Sequence, residues 1–155
     1  MIDFSKEIIP YKSAGGIVLG ENINTYLDDI YKSHRVKVSQ YIVPDGEKRL
    51  SYFIDETLMV GTLSDGEIIS IGCNGRYKGK CLGRFYSGQS LEQIVQNSKS
   101  QKIFHGCIIV DDNFGFSFEL PPPYDEIGDS MESLPFDLQL DMLRVVDLSA
   151  WEPTK

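Results

Sequence analysis

The sequence predicts an α+β fold, with one or more antiparallel sheets built from two repeats of a glycine turn, a short helix and a strand meander. Three observations lead to this reading. A glycine-rich bend, "YKSAGGIVLGENINTYLDDI", passes directly into a helical pattern. Short runs of alternating apolar residues follow, separated by turn dipeptides. The order then restarts at "YKGKCLGRFYSGQSLEQIVQNS". At 155 residues the chain is long enough for a single domain, 1–155, with internal repeats at approximately 8–73 and 76–150.

The first repeat begins with a short strand at Ile8-Ile9 and an apolar strand from Ile17 to Leu19. Gly20 ends that strand, and Asn22 is placed to cap a helix through Ile23, Tyr26, Leu27 and Ile30. These four positions follow the i, i+3, i+4, i+7 spacing of one buried helical face, and the pattern fades by Ser33. "RVKVSQYIV" alternates Val36 and Val38 with polar residues, which predicts a half-buried strand. "PDGEKR" is a turn, because Pro44 presets its φ and Gly46 is free to adopt a positive one. "LSYFID" and "TLMVGTL" flank a turn at Asp55-Glu56, and "SDG" joins the latter to "EIISIGC".

In the second repeat Gly83 and Gly88 fall where Gly15 and Gly20 fall in the first, and Lys80 takes the place of Lys12. Phe85 matches Ile17, Leu91 matches Ile23, and Ile94 and Val95 match Tyr26 and Leu27. Ser90, with Gln93 three residues on, forms a capping-box pattern. "KIFHGCIIV" reads as one strand, joined through a turn at Asp111 to Asn113 to "FGFSFEL". In that last run Phe114, Phe116 and Phe118 alternate, which predicts that one strand face carries all of them. "PPPYDEIGDSMESLPFD" is expected to be a loop because of its prolines, and "LRVVDLS" a final strand.

The glycine bends invite comparison with a phosphate cradle. Such a cradle feeds a helix N-terminus within a βαβ unit and has a Lys or acidic partner at defined spacing. Here Glu21 stands at the helix start, where it repels phosphate, and no parallel alternation surrounds it. A bend that recurs in both halves is a structural joint.

The formal charge of -8 argues against non-specific nucleic-acid binding. No apolar run is long enough to span a membrane. The acidic start "MIDFSKEIIPYKS" lacks the basic, then apolar, pattern of a secretory signal, so a cytoplasmic location is expected. The odd set of Cys73, Cys81 and Cys107 fits reduced thiols in that compartment. From Ile103 to Leu143 there is no Lys or Arg, and acids accumulate. Two readings stand for this stretch: a solubilising surface, or a docking face for a basic partner.

No catalytic residue, cofactor or metal site is expected. His105 and Cys107 in "FHGC" would share a strand face if both lay on one strand, and a small hydrolase using this pair is the enzymatic alternative. The favoured account of the pair is a small apolar Cys in the core beside a histidine hydrogen-bonded at its edge. Cys73, Cys81, His105 and Cys107 match a zinc set in composition, but without the close-spaced knuckle that organises such a site. "DDNFG" has a calcium-loop start without the downstream Glu and reads as a hairpin turn. Aromatics supply interface anchors, so Tyr86, Tyr124, Phe136 and Trp151 are candidates for that role.

The doubled unit, "AGGIVLGENINTYLDDI" and "LGRFYSGQSLEQIVQN" with their strand ladders, resembles in architecture the beta-lactamase inhibitor protein family and the small outer-membrane assembly lipoproteins. More closely, "IIPYKSAGGIVLG", the later "YKGKCLGRFYSGQSLEQI" and "DNFGFSFEL" are similar to cytosolic immunity proteins of bacterial polymorphic toxin systems, including those of contact-dependent growth inhibition. The resemblance spans most of residues 8–150. The lipoprotein branch implies a signal and a lipidated Cys near the start, and the inhibitor branch implies secretion and disulfides; the cysteines here fit neither. The immunity branch implies a protein that binds and blocks the C-terminal domain of one cognate toxin, often a nuclease. No binding residue transfers from it, because such proteins meet their toxins through variable surfaces.

The partner-binding residues expected from charge and aromaticity are therefore Tyr124, Asp125, Glu126, Asp129, Glu132, Phe136 and Trp151. In this reading the acids take the place of nucleic-acid phosphate on a basic nuclease and the aromatics anchor the contact. The remaining alternative is a structural assembly protein.

Overall fold

The computed structural model describes residues 1–152. Its first bend is a miniature hairpin in which Ser13–Ala14 (β1) pairs antiparallel with Ile17–Val18 (β2) across Gly15 and Gly16. Both glycines have positive φ, 64° and 88°, a region that L side chains enter at a cost. The Tyr77 hydroxyl accepts the Gly15 N–H at 2.8 Å and donates to the Lys6 carbonyl at 2.6 Å, which clamps the bend to the rest of the chain. Ile8 and Ile9 make isolated bridges, to Cys81 and Ser13, in place of the expected short strand.

The helix Asn24–Ser33 (α1) follows. Asn22 does not sit at its N-cap, which is Ile23; the Asn22 side chain instead accepts the Asn24 N–H at 3.0 Å one step earlier. Ile23 and Ile30 are buried, and Tyr26 and Leu27 pack against the core. Four strands then run back and forth: Val36–Ile42 (β3), Lys48–Ile54 (β4), Leu58–Leu63 (β5) and Ile68–Cys73 (β6). The turns lie where the sequence places them, with positive φ at Gly46, at Asp55 and Glu56, and at Gly66. The half-buried character expected of β3 is not found, and Val38 is 46% exposed. The reason is position: β3 is the outermost strand, with a neighbour on one side only.

The second half begins with Gln89–Ser90 (β7) and the helix Leu91–Gln96 (α2), which carries a complete capping box between Ser90 and Gln93. Next come Gln101–Phe104 (β8), Cys107–Val110 (β9) and Phe116–Glu119 (β10). "KIFHGCIIV" is therefore a hairpin and not one strand. His105 and Gly106 form its two-residue turn with φ of 47° and 77°, the left-handed pair that matches the twist of tight hairpins. The proline-rich stretch is not wholly a loop. Pro123 caps a short helix, Tyr124–Ile127 (α3), and a 3-10 turn follows at Met131–Ser133. A proline's fixed φ suits a helix entrance, so the residues that argue against a long helix permit a short one. Gln139–Leu140 (β11) and Leu143–Val145 (β12) complete the elements, with a last 3-10 turn at Ser149–Trp151.

One antiparallel sheet of eight strands, in the order β3-β4-β5-β6-β12-β10-β9-β8, organises the α+β fold. Each half fills its side from the outer edge inward, and the halves meet at β6 and β12. There Gly72 opposes Arg144, with Cys73 opposite Leu143 and Ile71 opposite Val145. The joints also correspond. Gly20 N–H donates to Ile68 and Ile23 N–H to Gly66, at 2.9 and 2.8 Å; Gly88 N–H donates to Leu140 and Leu91 N–H to Leu138, both at 2.8 Å.

Both helices cover the same sheet face, and one apolar cluster joins residues of both halves, among them Ile17, Ile30, Phe85, Ile94, Phe116 and Phe118. Phe85 packs on Phe116 and Phe118 at ring separations of 5.6 and 6.1 Å. Phe114 does not share that face. It lies ahead of β10, stacks on Phe104 at 5.9 Å, and takes Lys102 over its ring, outside the main cluster. Gly115 interrupts the alternation there, because Tyr11 packs on it so closely that a Cβ would lie 2.4 Å from the tyrosine ring. No helix among the described residues is long and apolar enough to cross a membrane.

Candidate functional site

The link between β10 and β11 sets the two halves apart. In the first half the corresponding strands are joined by the short turn Ser64 to Glu67, whereas here the chain travels from Leu120 to Leu138. Long connections inside a domain are commonly functional. This one is held from beneath by Leu134, which is buried, and by Tyr124, Met131 and Leu138, which pack against the core. Its Met131–Ser133 turn lies against β8, and the connection reaches α2, where the Phe136 carbonyl accepts the Glu92 N–H at 3.0 Å.

The expected site residues fall into two groups along this path. Tyr124, Asp125 and Glu126 lie on α3, packed against the β8–β9 turn: the Leu120 N–H donates to the Gly106 carbonyl at 2.9 Å, and a Cβ on Gly106 would lie 3.1 Å from the Asp125 carbonyl. Trp151 reaches the same turn from the C-terminal side, with its ring 5.8 Å from those of Phe104 and His105. The His105–Gly106 turn thus brings Asp125 and Trp151 to one end of the sheet. Asp129, Glu132 and Phe136 lie further along, toward α2. Asp125, Glu126, Asp129 and Glu132 are exposed, and Phe136 and Trp151 are 66% and 60% exposed. Tyr124 is half-buried, so much of its ring serves the loop's attachment.

Among the described residues the ion pairs involve other acids: Asp55, Glu47 and Glu56 in the first half, Asp111, Asp112 and Glu119 in the second. Among the described residues the loop carboxylates thus have no cationic partner and face solvent. Their field reaches about 8–10 Å at physiological salt, far enough to orient an approaching cationic protein.

The geometry assumed for His105 and Cys107 does not hold. His105 is a turn residue, while Cys107 begins β9 and pairs with Phe104. Burial raises the Cys107 thiol above its usual range, against a hydrogen bond from Ser117. Burial also pushes the thiols of Cys73 and Cys81 up to about 12, which keeps both protonated and unreactive at neutral pH. His34 is at the opposite side of the molecule, beside edge strand β3, with Nδ1 2.6 Å from Asp55 Oδ2 and its ring against Phe4. Among the described residues no group of three His, Cys, Asp or Glu side chains gathers to hold a metal.

A cavity of about 700 Å³ lies at the same edge as His34, with Phe4 and Phe53 among its walls and Arg35, Lys37 and Arg76 at its mouth. Glu56 accepts from Arg76 at 3.0 Å and lies 3.7 Å from the Lys37 ammonium, so much of the cationic charge is already answered. The left-handed Asp55-Glu56 turn sets Asp55 against His34 and the Arg35 N–H, and Glu56 between Lys37 and Arg76. No family model matches this chain, and neither a curated protein nor a solved structure does.

Proposed function

We propose that this protein is an immunity protein: it binds the C-terminal domain of a cognate bacterial toxin, a basic nuclease, and blocks it by occluding the active site. The observation that carries the reading is the Leu120 to Leu138 connection, absent from the other half, which presents Asp125, Glu126, Asp129 and Glu132, none of them ion-paired among the described residues, above a fixed apolar base. A polar rim of free carboxylates beside exposed aromatic rings is the composition that meets a cationic protein surface. Phe136 and Trp151 supply the rings, one at each end of the loop. Such a protein acts by stoichiometric binding in the cytoplasm and turns nothing over.

The test is protection of growing cells. Where the neighbouring gene encodes a secreted protein with a C-terminal nuclease domain, that domain is expressed with and without this chain, and growth is followed. Cells are expected to survive only when both are made, and to survive equally with the His34→Gln, His105→Gln double variant. Neutralising Asp125, Glu126, Asp129 and Glu132 to their amides should slow association about tenfold or more at low salt and flatten its salt dependence. Arrest of growth despite co-production, or protection lost with the histidines alone, would refute the proposal.

A further inference from the structure

The sheet has two edges, and they are treated differently. β8 spans only Gln101–Phe104, and the Met131–Ser133 turn lies against it. β3 runs from Val36 to Ile42 in unbroken register with β4, with no bulge and no proline. Its residues beyond Val36 are all exposed; Tyr41 is 48% and Ile42 65% accessible. Natural sheets blunt such an edge with a bulge, a proline, charged side chains, an inward charge or a cover. β3 has one such device, Lys37 on the outer face, whose ammonium lies 3.7 Å from Glu56 of the same molecule, and it has no bulge, proline or inward charge.

The hydrogen-bond phase shows which groups are unmet. Asp55 N–H donates to the Arg35 carbonyl at 2.8 Å and Val43 N–H to the Glu47 carbonyl at 3.0 Å, so the odd-numbered residues of β3 face β4. Val36, Val38, Gln40 and Ile42 therefore aim their N–H and C=O groups away from the molecule. An antiparallel copy of the same strand satisfies all of them only when Ser39 lies opposite Ser39 of the second copy. Val36 then pairs with Ile42 and Val38 with Gln40, and on the outer face Lys37 lies opposite Tyr41, a cation against an aromatic ring. Centring the pair two residues earlier would set Lys37 against Lys37 and leave the Ile42 end unpaired.

We infer that β3 is the dimerisation edge of this protein: a second copy of the chain pairs with it, antiparallel about Ser39, and continues the sheet through both molecules. Because the contact is the same on both partners and consumes the β3 edge of each, this interface closes at two copies. The acidic loop lies at the other end of each sheet and stays free in the dimer. The inference stands independently of the toxin-binding reading.

Sedimentation velocity on the full chain, from low micromolar to about 0.1 mM, reads the association by mass action. A species of twice the chain mass is expected to rise with concentration. Val38→Pro removes an outward N–H and leaves the β3–β4 ladder intact, so it should weaken the dimer at least about tenfold. Ser39→Cys is expected to form a disulfide-linked dimer under oxidised glutathione, because a non-hydrogen-bonded antiparallel pair brings Cα atoms to about 4.5 Å. Ser51→Cys, on the neighbouring strand and the same face, serves as control. A monomer throughout the range would overturn the inference, as would a dimer whose Ser39→Cys form cross-links no faster than the control. If Val38→Pro does not fold, the cysteine pair decides alone.

Discussion

Gly15 and Gly83 occupy matching bends with similar left-handed φ, 64° and 73°, yet their surroundings differ. A Cβ on Gly15 would lie 2.5 Å from Leu58 Cδ1, whereas one on Gly83 meets nothing within 4 Å. Gly83→Ala should therefore cost only the backbone penalty, about 1–2 kcal/mol, and Gly15→Ala at least about 1 kcal/mol more, as read from urea unfolding. Asp55 offers a second test. Burial works against its carboxylate, but the bonds from His34 and the Arg35 N–H prevail, and its pKa lies below the ordinary 3.8. A lowered folded-state pKa adds stability that is fully present above the unfolded value and disappears as pH falls through the folded one. Asp55→Asn should remove that part of the acid dependence while keeping the Arg35 contact and the left-handed turn, so the stability gap between wild type and variant narrows as pH falls through the lowered folded-state pKa of Asp55. At this scale the turn glycines were legible, since few residues tolerate positive φ. His105 was not. A non-glycine residue in the left-handed region leaves no mark in hydropathy, and the apolar run on both sides of it masked the turn.

The helices show how an element's ends can be read when its length cannot. Ser90 and Gln93 close a reciprocal capping box at α2, with the Gln93 N–H 3.2 Å from Ser90 Oγ and the Ser90 N–H 3.0 Å from Gln93 Oε1. Ser90→Ala should lower stability by about 1 kcal/mol, measured by thermal or chemical unfolding, because α2 has only Leu91 and Ile94 buried to hold it otherwise. Asn22 signalled the other helix start correctly in kind but not in place, because side-chain acceptors serve an Asx turn as readily as an N-cap. The alternation in β3 was present in the sequence, and its burial was not. Alternation reports which side chains share a face; whether that face is covered depends on where the strand lies in the sheet.

For the whole molecule, the seam at Gly72 and Arg144 joins the two halves in one sheet, and one apolar cluster takes residues from both. Calorimetry should show a single transition, with equal calorimetric and van't Hoff enthalpies. Two resolved transitions would mean that the halves fold independently despite the shared sheet. The sequence by itself determined the local joints: the glycine bends, the helical faces beginning at Ile23 and Leu91, and most of the strand turns, each set by a few neighbouring residues and their allowed dihedrals. Only the tertiary structure decided that β6 meets β12, that β3 is left bare while the Met131–Ser133 turn lies against β8, and that Asp125 and Trp151 converge on one turn. Those outcomes depend on contacts between residues far apart in the chain, and local propensity carries no information about which distant surfaces meet.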